Sequence, residues 1–141
     1  MNIRKAKQED YNEIMLLFNG FVEEDRYSNH DFDSFKKVLA SEDGFVFVAQ
    51  EGEKLIGFST MSIRNVVRYP RPIAELDELY VVPDYRRKGI GKALLDICID
   101  TAKSRSCYRI YLESHKDREH AHAFYEKHNF IKYGHSFSKD L

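Results

Sequence analysis

The sequence predicts an α/β fold in which a mixed, twisted sheet of about six or seven strands is flanked by about four helices. Three observations carry this prediction. Segments of alternating apolar residues interleave with segments at helical spacing. The middle of the chain reads strand, helix, strand. The length of 141 residues suits one domain, expected over residues 1–141, with a single core.

The elements follow in order. A short strand over about Asn2 to Ala6 opens the chain. Ile14, Leu17, Phe18, Phe21 and Val22 then recur at helical spacing behind Asp10, a suitable cap. In "NHDFDSFKKVLAS", Asp31 and Asp33 can cap a second short helix carrying Phe35, Val38 and Leu39. "FVFVAQ", "EGEK" and "LIGFSTMSI" read as a hairpin over residues 45 to 63. "RNVVRYPRP" holds two prolines and no sustained period, so a loop leads into the strand "IAELDELYVV", which Pro83 ends. From Gly89, the residues Ile90, Leu94, Ile97, Cys98 and Ala102 form an apolar stripe, and "YRIYLE" returns to strand. Asp117 can cap a last helix through His128 with Ala121, Phe124 and Tyr125 inward, and "FIKY" and "HSFSKD" suggest two closing strands.

Composition narrows the function. The chain is 43% hydrophobic and 32% charged with a formal net charge of −1, which suggests neither disorder nor broad adhesion to nucleic acid. Two cysteines, Cys98 and Cys107, are too few for a disulfide framework and show no metal-site spacing, so a reduced, cytoplasmic protein is expected. The opening "MNIRKAKQED" meets acids before any apolar stretch, and no run approaches the roughly 18 apolar residues of a membrane span. No membrane partner is expected.

The densest signal is "YVVPDYRRKGIGKALL", residues 80 to 95. A helix N-terminus leaves backbone N–H groups unpaired and carries partial positive charge, so a helix opening straight after a strand can hold an anion. Gly89 and Gly91 have no Cβ to keep a ligand from the main chain. Arg86, Arg87, Lys88 and Lys92 add charge at the same end, which implies a strongly anionic ligand. A nucleotide-binding P-loop fails on glycine spacing and on the missing Ser or Thr after Lys92. A dinucleotide fingerprint would need a third glycine where Leu94 stands, although Glu113 is placed to mimic its ribose-binding acid.

The run Arg86-Arg87-Lys88-Gly89-Ile90-Gly91 resembles the [Q/R]-x-x-G-x-[G/A] hallmark of the GNAT superfamily of acyl-CoA-dependent N-acetyltransferases. "LYVVPDY" before it is similar to that family's cofactor-lining strand. "AHAFYEKHNF", residues 121 to 130, is similar to its A-x-x-F-Y-E-K-x-G-F segment. The resemblance covers almost the whole chain and implies a GNAT-like fold with acetyl-CoA as co-substrate. It assigns the pyrophosphate to the main chain of the Arg86 to Gly91 turn, and the pantetheine arm to strand backbone at Leu79, Tyr80 and Val81. Pro83 would divert the strand from its neighbour and open room for such an arm.

Acetyl transfer to an amine must remove a proton from an ammonium of pKa about 10 and return one to a thiolate of pKa about 8.5. Strict alternation in "AELDELYV" puts Glu75, Asp77 and Leu79 on one face and Leu76, Glu78 and Tyr80 on the other. Two carboxylates then share a face. The resemblance offers either Glu75 or Asp77 as base, often acting through water, and Tyr125 as the acid that reprotonates the sulfur. A strand N–H near Val81 could polarise the thioester carbonyl. Direct attack needs no covalent enzyme intermediate, and both cysteines are read as packing residues.

Two departures from the family pattern stand out. Arg118 replaces a common asparagine and could reach a coenzyme phosphate or the acceptor. Asn129 replaces a glycine before the final Phe, a mild change because Asn tolerates the left-handed conformation. His115, His120, His122, His128 and His135 crowd the last third, but His120 and His122 are two apart on a predicted helix and diverge, so no metal is expected.

The ending "REHAHAFYEKHNF...HSFSKDL" is similar to a subgroup that includes aminoalkylphosphonate acetyltransferases, which favours a small primary amine as acceptor. Glu23, Glu24 and Asp25 would attract a cationic amine, whereas Arg64, Arg68 and Arg71 would suit an acceptor bearing phosphonate, phosphate or carboxylate. The alternatives are a protein or peptide amine, or an acyl-CoA-binding module without chemistry. A homodimer is possible through the closing strands.

Overall fold

A computed structural model describes residues 1–22 and 31–141. The chain divides into two compact units, Met1–Tyr111 and Leu112–Leu141. The order is β1 (Asn2–Lys5), α1 (Tyr11–Val22), α2 (Phe32–Ala40), β2 (Gly44–Glu51), β3 (Lys54–Arg64), β4 (Ile73–Val81), α3 (Ile90–Ser104), β5 (Arg109–Leu112) and α4 (Glu119–Lys127).

The sheet order is β1-β2-β3-β4-β5, a single mixed sheet in which β1 to β4 pair antiparallel, each with the next, and β5 joins beside β4 after α3. Five strands form among the described residues, fewer than the six or seven expected. The two closing strands are absent from residues 130 to 141, which adopt no regular structure. The alternation there lines no core: Ile131, Tyr133 and Phe137 are largely exposed, and a strand without a neighbour to pair with is not stable.

One face of the sheet carries α1 and α2. Ile14, Leu17, Phe35, Val46, Val48, Leu55, Phe58 and Tyr80 are buried together there, each contributing about 1.5–3 kcal/mol of apolar burial. The Glu13 carboxylate accepts the Leu55 N–H at 2.6 Å and ties α1 to β3. α3 packs on the opposite face, where Leu94, Leu95 and Cys98 are fully buried. Gly57 lets that helix approach, since a Cβ would stand 3.3 Å from the Leu94 side chain and 2.6 Å from the Tyr80 carbonyl.

The caps differ in part from expectation. Asp31 caps α2, accepting the Asp33 N–H at 2.9 Å. Asp10 instead folds back to accept the Lys7 N–H at 2.7 Å and to pair with Arg4 at 2.7 Å, closing a 3-10 turn before α1. The Arg4 hydrogen bond is the largest cause holding the Asp10 carboxyl below its usual range. At α4 the cap position is Arg118, one residue beyond the expected Asp117.

Candidate active site

After β4, Pro83–Tyr85 form a 3-10 turn and the chain reaches α3 through two left-handed residues, Arg87 at φ 62° and Gly89 at φ 82°. No atom lies within 4 Å of where a Gly89 Cβ would sit, so glycine is required there by its dihedral, not by crowding. The Gly89 carbonyl accepts the Ala93 N–H at 3.0 Å, the first bond of the helix. The N–H groups of Ile90, Gly91 and Lys92 precede it and have no acceptor within the helix, which makes them donors for an anion.

The cations around this turn are deployed unequally. Arg86 donates through Nε to the Val81 carbonyl at 2.9 Å and lies 5.6 Å from the centre of the Tyr80 ring. Lys88 sits 4.9 Å over Tyr85, and Lys92 pairs with Asp96 one helical turn on. Arg86 is thus a brace for the strand end.

The strand backbone sorts the three residues expected to line a ligand. Val82 donates to the Ile56 carbonyl at 3.0 Å, so by antiparallel alternation Tyr80, opposite Phe58, also turns its N–H and C=O toward β3. Leu79 and Val81 therefore direct theirs away from β3, and Val81 spends its carbonyl on Arg86. On that outer side β5 has four residues against the nine of β4, and it starts level with Pro72, whose carbonyl accepts the Tyr108 N–H at 2.7 Å. A neighbour of that length, starting there, matches only the first half of β4. An extended, amide-bearing arm would find free backbone groups only at Leu79 and Val81, since the Tyr80 ring is buried in the core beside Phe58.

The carboxylates are not arranged as strict alternation predicts. Met61 faces Leu76 and Thr60 faces Glu78, leaving Asp77 unpaired in a β-bulge. The bulge breaks the two-residue period, so Glu75, Glu78 and Tyr80 share the face of Thr60 and Phe58, while Leu76 and Leu79 share that of Met61 and Ser59. The Glu78 N–H, displaced from the ladder, donates to Thr60 Oγ1 at 3.1 Å.

Glu78 was missed by sequence reasoning because a bulge leaves little mark in a sequence; three acids within four residues was the available signal. Burial first, then the Asp77 charge, pushes its carboxyl up to about 7. Asp77 is raised to about 6 by desolvation and by Glu75, with a Ser62 hydrogen bond opposing. Asp77 keeps substantial solvent contact, so its desolvation is partial, and the Glu75 charge acts in the same direction. Glu75 itself is paired with Arg64 at 3.3 Å.

In the second unit, Tyr125 is half-buried on α4, its ring 5.3 Å from Phe124 and 5.7 Å from Phe130. Its carbonyl accepts the Phe130 N–H at 3.0 Å, closing the helix end across Asn129 at φ 66°, the left-handed conformation anticipated for that asparagine. The Arg118 carbonyl accepts the His122 N–H at 3.1 Å, and the His122 ring meets the His115 carbonyl at 3.0 Å. Glu23, Glu24 and Asp25 lie outside the described residues. Cys98, on the buried face of α3, holds its thiol 3.4 Å from Ser59 Oγ on β3, and burial pushes that thiol up to about 11.

Residues 4–130 match the model of the acetyltransferase (GNAT) family. N-acetyltransferase YhfO of Bacillus subtilis (strain 168) is 29% identical over 133 residues, covering 92% of this chain and 89% of that protein. Glucosamine 6-phosphate N-acetyltransferase of Trypanosoma brucei brucei is 32% identical over 68% of this chain and 64% of its own length. Among solved structures, a protein of Agrobacterium tumefaciens str. C58 named an acetyltransferase superposes with a TM-score of 0.89 at 25% identity, covering 100% of both chains. A turn of N–H donors at a helix N-terminus, a bulged acidic strand and these similarities converge: the chain belongs to the GNAT family of N-acetyltransferases, which take their acetyl group from acetyl-CoA.

Proposed function

We propose that this enzyme moves an acetyl group from acetyl-CoA to a primary amine by direct attack, with Glu78 as the principal base and a small molecule as acceptor. The observation that carries the reading is the bulge, which puts a carboxyl of pKa about 7 one residue before Leu79 and three before Val81, the strand positions whose backbone groups point away from β3. A base serves best when its pKa lies near the working pH, and a carboxyl at its ordinary value would be too weak to deprotonate an ammonium efficiently.

The N–H groups of Ile90, Gly91 and Lys92 would hold the pyrophosphate, with Arg87, Lys88 and Gly89 shaping the approach. The arm would pair with Leu79 and Val81. Because Arg86 occupies the Val81 carbonyl, the Val81 N–H remains as the donor for the thioester oxygen, where charge develops during attack. Asp77 and Glu75 would bind and desolvate the ammonium beside Glu78. Tyr125 would return the proton to the departing thiolate, and Arg118 would meet a coenzyme phosphate or the acceptor.

The relatives act on varied amines. One is named for glucosamine 6-phosphate and another, of Escherichia coli, for an alanine of ribosomal protein bS18, so a primary amine is the shared denominator. The test is thiol release from acetyl-CoA across amino sugars, aminoalkyl acids, polyamines and N-terminal peptides. Turnover that survives both Glu78→Gln and Tyr125→Phe at wild-type rates would overturn the assigned roles.

A further inference from the structure

Between the rung of Met61 with Leu76 and the rung of Ser59 with Leu79, β3 contributes one residue, Thr60, and β4 contributes two, Asp77 and Glu78. Two pairings satisfy that count. Thr60 can face Glu78 with Asp77 left over, as it does here, or face Asp77 with Glu78 left over, and every other rung is the same in both. Burial of apolar side chains does not choose between them, because both candidates are acids and neither belongs to the apolar core. The choice falls to polar contacts.

Two hydroxyls on one face of β3 make those contacts. The Glu78 N–H donates to Thr60 Oγ1 at 3.1 Å in partly buried surroundings. In the other pairing Asp77 would sit on a regular rung and give its N–H to the main-chain carbonyl of Thr60, so the bond to the hydroxyl would be lost and the Glu78 N–H would need a new acceptor. Ser62, two residues further along β3 and opposite Glu75, hydrogen-bonds the Asp77 carboxylate. That bond draws Asp77 toward Glu75 and away from Leu79 and Val81.

We propose that Thr60 is a positioning residue for acetyl transfer: its hydroxyl keeps Asp77 as the extra residue of β4 and thereby makes Glu78 the carboxyl that receives the proton of the amine. This rests on the reading of Glu78 as base. Thr60 acts through the Glu78 main chain. Valine has the shape of threonine without the acceptor, so Thr60→Val removes the preference between the two pairings, whereas Thr60→Ser keeps it.

The experiment measures kcat for thiol release, with the amine of the panel that turns over fastest, for Glu78→Gln and Asp77→Asn in the wild-type, Thr60→Val and Thr60→Ser backgrounds. With threonine or serine, Glu78→Gln is the costlier change; with valine its cost falls by about tenfold and that of Asp77→Asn rises. An unchanged ratio of the two costs across the backgrounds sinks the proposal, as does a serine background that behaves like valine. Thr60→Ala, which also lacks the acceptor, takes the place of valine if that variant folds poorly. A second measurement does not need turnover: deuterium exchange of the Glu78 amide in the intact protein, followed by NMR. It should be about tenfold faster in Thr60→Val than in the wild type or Thr60→Ser, while the Leu55 amide, held by Glu13, keeps its rate. Equal Glu78 rates in all three overturn the role of Thr60 whatever the kinetics show. Faster exchange in Thr60→Val, beside acid variants that both turn over at the wild-type rate, supports the hold of Thr60 on Glu78 and overturns only the assignment of the base.

Discussion

Leu76 and Glu78, two residues apart on β4, face opposite sides of the sheet, because Asp77 between them pairs with nothing on β3. Regular pleating would put Glu75 and Glu78 on opposite faces; the bulge brings both to the face of Tyr80, which carries α1.

The first expectation concerns rate. With a Glu78 carboxyl of pKa about 7, kcat/KM rises as pH increases through about 7 and then levels. Glu78→Gln lowers kcat/KM by about 10² to 10⁴ and removes this limb. Asp77→Asn takes away the charge that helps raise Glu78, so the remaining limb moves to lower pH. A full pH profile of the three proteins measures both effects; an unmoved limb in Glu78→Gln would assign the titration elsewhere.

The same group makes stability depend on pH. Its folded pKa is raised from 4.5 to about 7, so between those values the folded state holds a proton that the unfolded chain has released. Stability therefore falls as pH rises from about 4.5 to about 7 and is flat above. Glu78→Gln should gain on the order of 1–3 kcal/mol at pH 8 and nothing at pH 4, as read by urea denaturation at both values.

Two glycines should fail for different reasons. Gly89→Ala meets no atom and suffers only from its left-handed dihedral, so it costs about 1–2 kcal/mol and raises KM for acetyl-CoA more than it lowers kcat. Gly57→Ala drives a methyl to 2.6 Å from the Tyr80 carbonyl, backbone that cannot turn aside, and should cost about 3 kcal/mol or leave little folded protein. Melting curves beside initial rates separate them.

Cys98 should be inert. Buried on the sheet side of α3 with its thiol raised to about 11, it stays unmodified by a maleimide at pH 7.5 until the protein is denatured, and Cys98→Ala retains acetyltransferase activity while losing about 1–2 kcal/mol of stability. Labelling followed by mass spectrometry reads the first point and denaturant titration the second.

What the sequence disclosed, it disclosed through local chemistry. The Gly89 turn, the Asp31 cap, the β2–β3 hairpin and the left-handed Asn129 each depend on one or two residue types, and each stands where those residues predicted. The errors lie where partners decide. Residues 130 to 141 alternate like strands yet form none, and the face of Glu78 relative to Leu76 is set by a register with β3 that no period within β4 reveals. The Tyr69 and Tyr111 hydroxyls, 42 residues apart in the chain, meet in a contact that no local pattern in either segment reveals.

Asp77 is also dispensable to the lattice it interrupts. Excising it would seat Leu76 opposite Met61 and Glu78 opposite Thr60, where both already are, and every inward side chain would keep its place. A chain shortened by that one residue should fold with the same interior and an unkinked rung. What it would forfeit is the Asp77 carboxylate, whose charge is the second cause, after burial, that keeps the Glu78 carboxyl raised.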